Sequence, residues 1–157
     1  MTRWLSDDEQ QVWRAFLGAN KLVFEQLDRE LQRDCGIPHA YYEILVRLSE
    51  APERQLRMSA LADRSQSSRS RLSHAVARLE ENGWVRREAC PDDKRGQLAV
   101  LTDDGFAALE KAAPTHVESV RRHVFDPLTV EQPRRLGEIS SKLLDALRAD
   151  PDGPACS

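Results

Sequence analysis

The sequence predicts a mainly α-helical protein that contains one small β-hairpin. Apolar residues recur every three or four positions in several segments, which is the periodicity of amphipathic helices. Two short β-prone runs, 84–88 and 97–102, are joined by a turn that contains Pro, Asp and Gly, as is typical of a hairpin. The 157 residues, 40% hydrophobic and 31% charged, fit a single globular domain of ordinary size.

The first predicted helix is long and runs from Asp7 to about Asp34. Ser6 is suited to cap it, and the acidic residues that follow complement the positive end of the helix dipole. Gly36 and Pro38 are expected to end it. Its apolar stripe comprises Val12, Trp13, Phe16, Leu17, Val23, Phe24, Leu27 and Leu31.

Two further helices are predicted before the most basic part of the chain. One extends over 39–50 and ends before Pro52. Residues 53–58 are then expected to form a short extended link. After this link, Ser59 is expected to cap a brief helix over 60–64.

A fourth helix is predicted after the polar turn 65–67, and it lies in the basic part of the chain. Leu72, Ala75, Val76 and Leu79 form its apolar stripe, and Gly83 is suited to the left-handed position that ends it. Residues 64–96 contain eight Lys or Arg and five Asp or Glu, a net charge of +3. The remainder, with 15 basic and 21 acidic residues, carries a net charge of −6.

The predicted hairpin follows, with the charged segment 89–96 at its tip, and two helices complete the pattern. The first of these runs from Asp103 towards Phe125 and is expected to bend at Pro114. The last covers 130–149 and places Leu136, Ile139, Leu143 and Leu147 on one side. The tail 150–157 is expected to be disordered.

Arginines near the start of the fourth helix point to an external anion. Cations in a first helical turn are unfavourable by about 0.3 to 1 kcal/mol each at exposed sites, because they face the positive end of the dipole. Arg69 and Arg71 occupy such positions, with serines around them. A DNA phosphate or a guanine edge matches this surface, since arginine reads guanine through two parallel hydrogen bonds.

The order of short helix, tight turn, polar-faced helix and charged hairpin is that of a winged helix-turn-helix domain. The hairpin would form the wing, and its tip would place Lys94 or Arg95 along the DNA backbone or in the minor groove. The alternative is that the basic face is simply solvated and has no partner.

Several motifs in this region resemble those of the MarR family of bacterial transcriptional regulators. They are LEENGWVRR at 79–87, DDKR at 92–95 and LTDDG at 101–105. The segment YYEILVRLSEAP at 41–52 is also similar to the family, so the resemblance spans nearly the whole chain apart from the tail.

The resemblance implies a homodimer that binds double-stranded DNA at a pseudo-palindromic operator. It implies a helical dimerisation region formed by 1–34 and 103–149, and a winged helix-turn-helix domain over 38–101. Independently, the terminal helices carry more apolar surface than a chain of this size hides easily, so a second copy is the simplest cover. By the resemblance, Asp93 supports the wing, and the DNA-facing residues are Ser68, Arg69, Ser70, Arg71, Ser73, His74, Arg78, Lys94 and Arg95.

Proteins similar to this one commonly bind small anionic aromatic compounds between the dimer helices and the winged domain. Residues here that are suited to line such a site are Trp13, Phe16, His39, Tyr41 and Tyr42. Ordinary core and dimer packing is the alternative role for each of them. The resemblance thus favours a repressor that a small ligand releases from DNA.

Other classes of protein receive less support from the sequence. Cys35, Cys90 and Cys156 match neither a disulfide framework nor a zinc site, and we expect neither metal nor cofactor. No nucleophile paired with a base and no phosphate-binding glycine loop is present, so an enzyme is not expected. No run of apolar residues suits a membrane helix or a signal sequence, which predicts a cytoplasmic protein without a membrane partner.

Two alternative functions stay open at this stage. A winged domain can serve as a helical protein-interaction module, in which case the basic face would bind an acidic partner. The second alternative is a thiol-based, redox-responsive regulator. Cys90 lies at the base of the hairpin, where Arg86 and Arg87 could stabilise the reactive thiolate form of its side chain.

Overall fold

The computed structural model describes residues 1–65, 67–91 and 93–149, without the side chain of Lys94. Within these ranges the chain forms six α-helices and a three-stranded antiparallel sheet. The predicted disordered tail, 150–157, lies outside the described residues. The elements are α1 (Asp7–Cys35), α2 (His39–Ser49), β1 (Gln55–Arg57), α3 (Met58–Arg64), α4 (Arg69–Glu81), β2 (Val85–Cys90), β3 (Asp93–Leu101), α5 (Asp103–Val120) and α6 (Gln132–Ala149).

Both ends of α1 agree with the prediction. The Ser6 hydroxyl accepts a hydrogen bond from the backbone N–H of Glu9, and the Glu9 carboxylate accepts one from the backbone N–H of Ser6. Gly36 ends the helix with φ +68°, a left-handed conformation that favours glycine. Leu27 and Leu31 are buried, whereas the apolar side chains nearer the N-terminus, such as Phe16, are largely exposed.

Helix α2 is capped by another helix rather than by its own sequence. Pro38 precedes it and provides no side-chain cap. Instead, Asp28 of α1 accepts a hydrogen bond from the backbone N–H of His39 at 2.9 Å. This bond satisfies one of the free N–H groups at the start of α2 and ties it to α1.

The segment before α3 differs from the prediction of an extended link. Pro52–Arg54 forms a 3₁₀ turn, and β1 then pairs with β3, with Leu56 opposite Ala99, so that the sheet order is β1-β3-β2. The prediction that Ser59 caps α3 is wrong, because the helix begins at Met58 with Arg57 in the cap position. Strand β1 forms because it pairs with a distant strand, and the local sequence does not predict this pairing.

The hairpin tip is shorter than the predicted segment 89–96. Strand β2 continues to Cys90 and β3 begins at Asp93. The register shifts between Ala89 and Cys90, so that Cys90 faces Asp93. Between the pair Ala89 and Gln97 and the pair Cys90 and Asp93, β3 contains three more residues than β2, as in a bulge or a similar irregularity of the ladder.

The last two helices depart slightly from the predicted bounds. Helix α5 contains Pro114 in its interior and ends at Val120, after which Arg121–Phe125 forms a π-helical turn. Helix α6 begins at Gln132, two residues later than expected. Every residue of α6 except Pro133 is exposed in the single chain.

The hydrophobic core lies between α2, α3, α4, the sheet and α5, and the end of α1 covers it. Its fully buried members come from both the helix-turn-helix and the strands. The core therefore holds α4 and the hairpin in one unit. The fully buried residues of this core include Leu31, Leu45, Leu48, Leu61, Leu72, Val76, Leu79, Ala99 and Ala112.

We expect Gly105→Ala to lower the free energy of unfolding by about 1 to 3 kcal/mol. A Cβ atom at Gly105 would lie 2.1 Å from the backbone oxygen of Trp84, so that α5 or the start of β2 must shift. Chemical denaturation measures the effect. Gly18→Ala is the matched control, because a Cβ there meets no atom within 4 Å and helix propensity favours alanine by about 0.5 to 1 kcal/mol. Equal stability of the two variants would contradict the close approach.

Candidate nucleic-acid interface

Helix α4 buries one side and presents the other to solvent, as its apolar stripe predicts. Leu72, Val76 and Leu79 are at most 2% exposed. On the opposite side, Arg69, Ser70, Arg71, His74 and Arg78 are exposed, and Ser68 and Ser73 are half-buried at its edge. All seven predicted DNA-facing residues of the helix are therefore at least partly accessible to solvent.

The charges at the start of α4 have no carboxylate partner among the described residues. Within the described part of the chain, no carboxylate lies within 4 Å of Arg69 or Arg71. The Ser68 hydroxyl accepts a hydrogen bond from the backbone N–H of Arg71 at 3.3 Å and caps the helix. Arg78, which lies about two turns after Arg71, is paired with Glu81 at 2.8 Å. Positive charge without a carboxylate partner among the described residues thus lies at the helix N-terminus, where the dipole adds to it.

The wing places Arg95 in solvent. Asp93 accepts a hydrogen bond from the backbone N–H of Arg95 at 3.0 Å, and its other oxygen lies 3.5 Å from the Arg57 guanidinium. Asp93 therefore connects the hairpin tip to β1. The side chain of Lys94, the other predicted residue of the tip, lies outside the described part of the structure.

Arg87 does not lie on the basic face, although the sequence groups it with the other arginines of 64–96. Its guanidinium donates a hydrogen bond from Nη2 to the backbone oxygen of Ser73 at 2.8 Å, and its Nε lies 3.1 Å from Glu80 Oε2. Arg86, the preceding residue, is exposed and pairs with Glu88 at 2.6 Å. The alternation of side chains along a strand, which puts neighbours on opposite faces, is the signal that separates the two arginines.

Two histidines meet where α1, α2 and α5 join. The ring centroids of His39 and His116 are 5.4 Å apart, Tyr42 lies 4.5 Å from His116, and Phe24 lies 5.7 Å from His39. Burial lowers the pKa of His116, and the nearby His39 lowers it further. The buried Nδ1 of His116 has no hydrogen-bond partner among the described residues. The spacing of His116 from buried Ala112 is the sequence signal that would have placed it facing the core.

We expect acid to destabilise the protein through His116. Since its pKa is lower in the folded state, the unfolded chain binds the proton more readily. The stability that neutral His116 contributes is therefore complete above its ordinary pKa of about 6.5 and is lost as the pH falls through its lower folded value. His116→Phe should reduce the loss of unfolding free energy between pH 7 and pH 5, measured by denaturation. An unchanged pH dependence would contradict this role.

A buried carboxylate links α1 to the π-helical turn. Glu30 is 9% exposed, and its Oε1 lies 2.9 Å from His123 Nε2 and 3.7 Å from an Arg122 nitrogen. Contacts with the Ser119 hydroxyl and His123 lower the pKa of Glu30. This group joins the end of α5 to α1, away from the basic face.

The residues that the sequence offered as a ligand site do not converge. Trp13 and Phe16 stack on each other, 6.1 Å apart, on the exposed face of α1. His39 and Tyr42 lie at the histidine junction. Tyr41 lines a separate, solvent-open recess of about 600 Å³ between α2 and α4, together with Ser65, Ser70, Arg71 and His74.

The structure also places the groups considered for metal or redox chemistry. Among the described residues, no three His, Cys, Asp or Glu side chains are grouped as a metal site requires. Cys90 is 4% exposed under the hairpin, and Cys35 lies 3.7 Å from the Thr115 hydroxyl. Arg86 and Arg87, the arginines near Cys90 in sequence, are engaged by Glu88 and Glu80.

Comparisons with known proteins identify relatives that are similar in sequence and in structure. The model of the MarR family (MarR_2) matches residues 36–96. Sco3205, a MarR family transcriptional regulator from Streptomyces coelicolor crystallised in complex with DNA, is 55% identical, with 98% of this chain and 97% of that chain covered and a TM-score of 0.92. The chain belongs to the MarR family.

Two further transcriptional regulators show how the similarity is distributed along the chain. AbsC, a MarR family transcriptional regulator from Streptomyces coelicolor, is 45% identical, with 95% of this chain and 100% of that chain covered and a TM-score of 0.88. The HTH-type transcriptional regulator PecS from Dickeya dadantii is 36% identical over 67 residues, which span 43% of this chain and 40% of PecS.

Membership of the MarR family confirms two predictions from the sequence. The fold class, mainly helical with a winged helix-turn-helix, is that of its solved relatives. The family consists of transcriptional regulators, so the chain is not an enzyme. In the described ranges, no helix combines the length and hydropathy needed to cross a bilayer.

Proposed function

We propose that this MarR-family protein is a homodimeric regulator that binds double-stranded DNA in a sequence-specific manner. The observation that carries the proposal is the exposed N-terminal half of α4, where Arg69 and Arg71 face solvent without a carboxylate partner in the described residues. A polyanion completes such a surface at a helix N-terminus. The DNA complex of Sco3205 supports the assignment.

In this proposal α4 lies in the major groove and the wing follows the DNA backbone. The residues of α4 that would contact DNA are Ser68, Arg69, Ser70, Arg71, Ser73, His74 and Arg78. Arg95 and Lys94 would contact phosphates or enter the minor groove, with Asp93 supporting the tip. The net charge of −6 outside residues 64–96 would repel DNA from other faces and so favour correctly docked complexes.

The proposed dimer rests on the exposed apolar face of α6 and the first half of α1. Helices gain most of their stability from packing of an apolar face, and no residue of the 18-residue helix α6 is buried in the single chain, which supports a partner that covers its apolar stripe. A second copy supplies the same face and buries both. The two winged domains of this dimer would bind half-sites about 34 to 36 Å apart in a pseudo-palindromic operator. The exposed apolar residues are Val12, Trp13, Phe16, Leu17, Leu136, Ile139, Leu143, Leu144 and Leu147.

The regulatory sign that we propose is repression relieved by a small anionic aromatic compound. Occupation of an operator that overlaps a promoter excludes RNA polymerase from it. The recess between α2 and α4 offers Tyr41 as a stacking face, Arg71 as a cationic partner and His74 as a hydrogen-bonding partner. A ligand there would use groups that the DNA also needs. Binding to such operators would require the protein to be in the cytoplasm.

A mobility-shift experiment with the DNA upstream of the protein's own coding sequence tests the proposal. We expect retardation of this fragment at concentrations that leave a scrambled fragment free, with affinity falling steeply as salt rises. A panel of aromatic acids added to the complex should contain at least one compound that releases it. Lack of retardation by the dimeric protein would reject DNA binding and favour an acidic protein partner for the basic face.

A further inference from the structure

We infer that Arg87 is a positioning residue that joins the DNA-reading helix α4 to strand β2 of the wing, so that the two bind DNA as one unit. The inference rests on the proposed function, because it concerns how the proposed DNA surface is held. It assigns a role to an arginine that does not itself face DNA.

The geometry consists of three contacts between one strand residue and one helix. The Arg87 guanidinium donates a hydrogen bond to the backbone oxygen of Ser73 at 2.8 Å, in the middle of α4. The Arg87 Nε lies 3.1 Å from Glu80 Oε2, an ion pair without hydrogen-bond alignment, and the Arg87 backbone N–H donates a hydrogen bond to Glu80 Oε1 at 3.0 Å. Arg87 thus contacts α4 at Ser73 and at Glu80, which are about two helical turns apart.

Partial burial makes this link stronger than an ordinary surface ion pair. The side chains of Arg87 and Glu80 are 22% and 34% exposed, whereas those of Arg86 and Glu88 are 56% and 44% exposed. Exposed pairs contribute little, because water and salt screen them. The planar guanidinium can serve a carboxylate and a carbonyl together, which one lysine ammonium on a flexible stem cannot do in the same geometry.

The position of the link explains why it matters for DNA binding. Ser73 belongs to the proposed DNA surface, and Arg87 is paired with Ala99 of β3, the strand that leads back to Arg95 at the tip. The core contacts of Leu72, Val76 and Leu79 hold α4 in the fold, but a cylinder packed on one side can still rotate slightly. Without Arg87, DNA would have to order the helix and the wing separately, at a cost in affinity.

The test compares Arg87→Gln with the matched control Arg86→Gln, which removes the same charge from the neighbouring position of the same strand. The probes are the upstream duplex that the wild type retards and a scrambled duplex. We expect Arg87→Gln to weaken binding to the upstream duplex about tenfold and to leave the log-log salt slope unchanged, because no phosphate contact is lost. Arg86→Gln should change the affinity by less than about twofold.

A second pair of variants, Glu80→Ala and Glu81→Ala, keeps the inference testable if Arg87→Gln misfolds. The pair also distinguishes an effect of charge alone from the positioning role. Glu80→Ala removes a negative charge near the DNA, which by charge alone would strengthen binding to both duplexes. The positioning role instead predicts weaker binding to the upstream duplex. Glu81→Ala, which also removes an acid from the end of α4 but does not touch Arg87, should not weaken it. Arg87→Lys should recover only part of the loss, since it restores the charge but not both contacts.

Each outcome separates the inference from the proposed function. A salt slope reduced by about 0.9 in Arg87→Gln would show a direct phosphate contact and overturn the positioning role. Wild-type affinity in both Arg87→Gln and Glu80→Ala would also overturn it, while leaving DNA binding intact. Failure of the wild type to bind the upstream duplex would reject the proposed function itself.

Discussion

Leu143→Glu should convert the proposed dimer to a monomer. Leu143 lies on the apolar face of α6, is 48% exposed in the single chain and would be buried against a second copy. A carboxylate placed there must lose its water without a partner, which strongly disfavours association. Sedimentation or light scattering should give a mass close to the 17.8 kDa of one chain instead of twice that value.

The same variant should lose operator affinity by about two to four orders of magnitude. A dimer binds its second half-site from an already tethered position, and a monomer loses this effective concentration. Ser141→Glu is the matched control, because it adds the same charge to the opposite side of α6. A Leu143→Glu protein that remains dimeric, or that binds the upstream duplex like the wild type, would show that α6 does not form the interface.

Arg71→Ala should weaken binding to the operator by about 1 to 3 kcal/mol, or roughly 5- to 150-fold, and should hardly affect binding to scrambled DNA. The reason is that Arg71 lies at the exposed start of α4 with no carboxylate partner in the described residues, where a guanidinium can reach a guanine edge. Titrations of both duplexes at one salt concentration measure the difference.

Arg95→Ala provides the contrast for this experiment. As a wing residue it is expected to contact phosphate, so its loss should weaken binding to both duplexes and reduce the salt slope by about 0.9. Arg134→Ala, on α6, removes the same charge away from α4 and the wing and should change neither affinity by much. Equal losses on both duplexes after Arg71→Ala would reject base readout at that position.

Local patterns in the sequence were sufficient for most helices and for the polarity of α4. The Ser6 cap, the left-handed Gly36 and Gly83, and the stripe of Leu72, Val76 and Leu79 are contacts within a few residues of one another. Their geometry follows from backbone preferences and from the helical repeat, so it is readable before the chain folds. The exposed arginines follow from the same repeat, because a buried stripe defines the opposite face.

Contacts between distant segments decided the remaining features. Strand β1 exists because Leu56 pairs with Ala99, 43 residues away, and nothing near Gln55 distinguishes this strand from a link. Arg87 looks like part of the basic face until Ser73 and Glu80 are brought beside it. Tyr41 and Tyr42 are neighbours in sequence, yet one lines the recess beside α4 and the other contacts His116.

The sequence by itself therefore determined which segments are helical, which face of α4 is polar and which family the motifs resemble. The tertiary structure alone decided which charged groups are free to meet a partner and which are already engaged. The physical reason is that periodicity specifies the direction of a side chain relative to its own helix or strand. The partner that neutralises a charge, as Glu80 does for Arg87, comes from another element, and only the folded chain brings the two together.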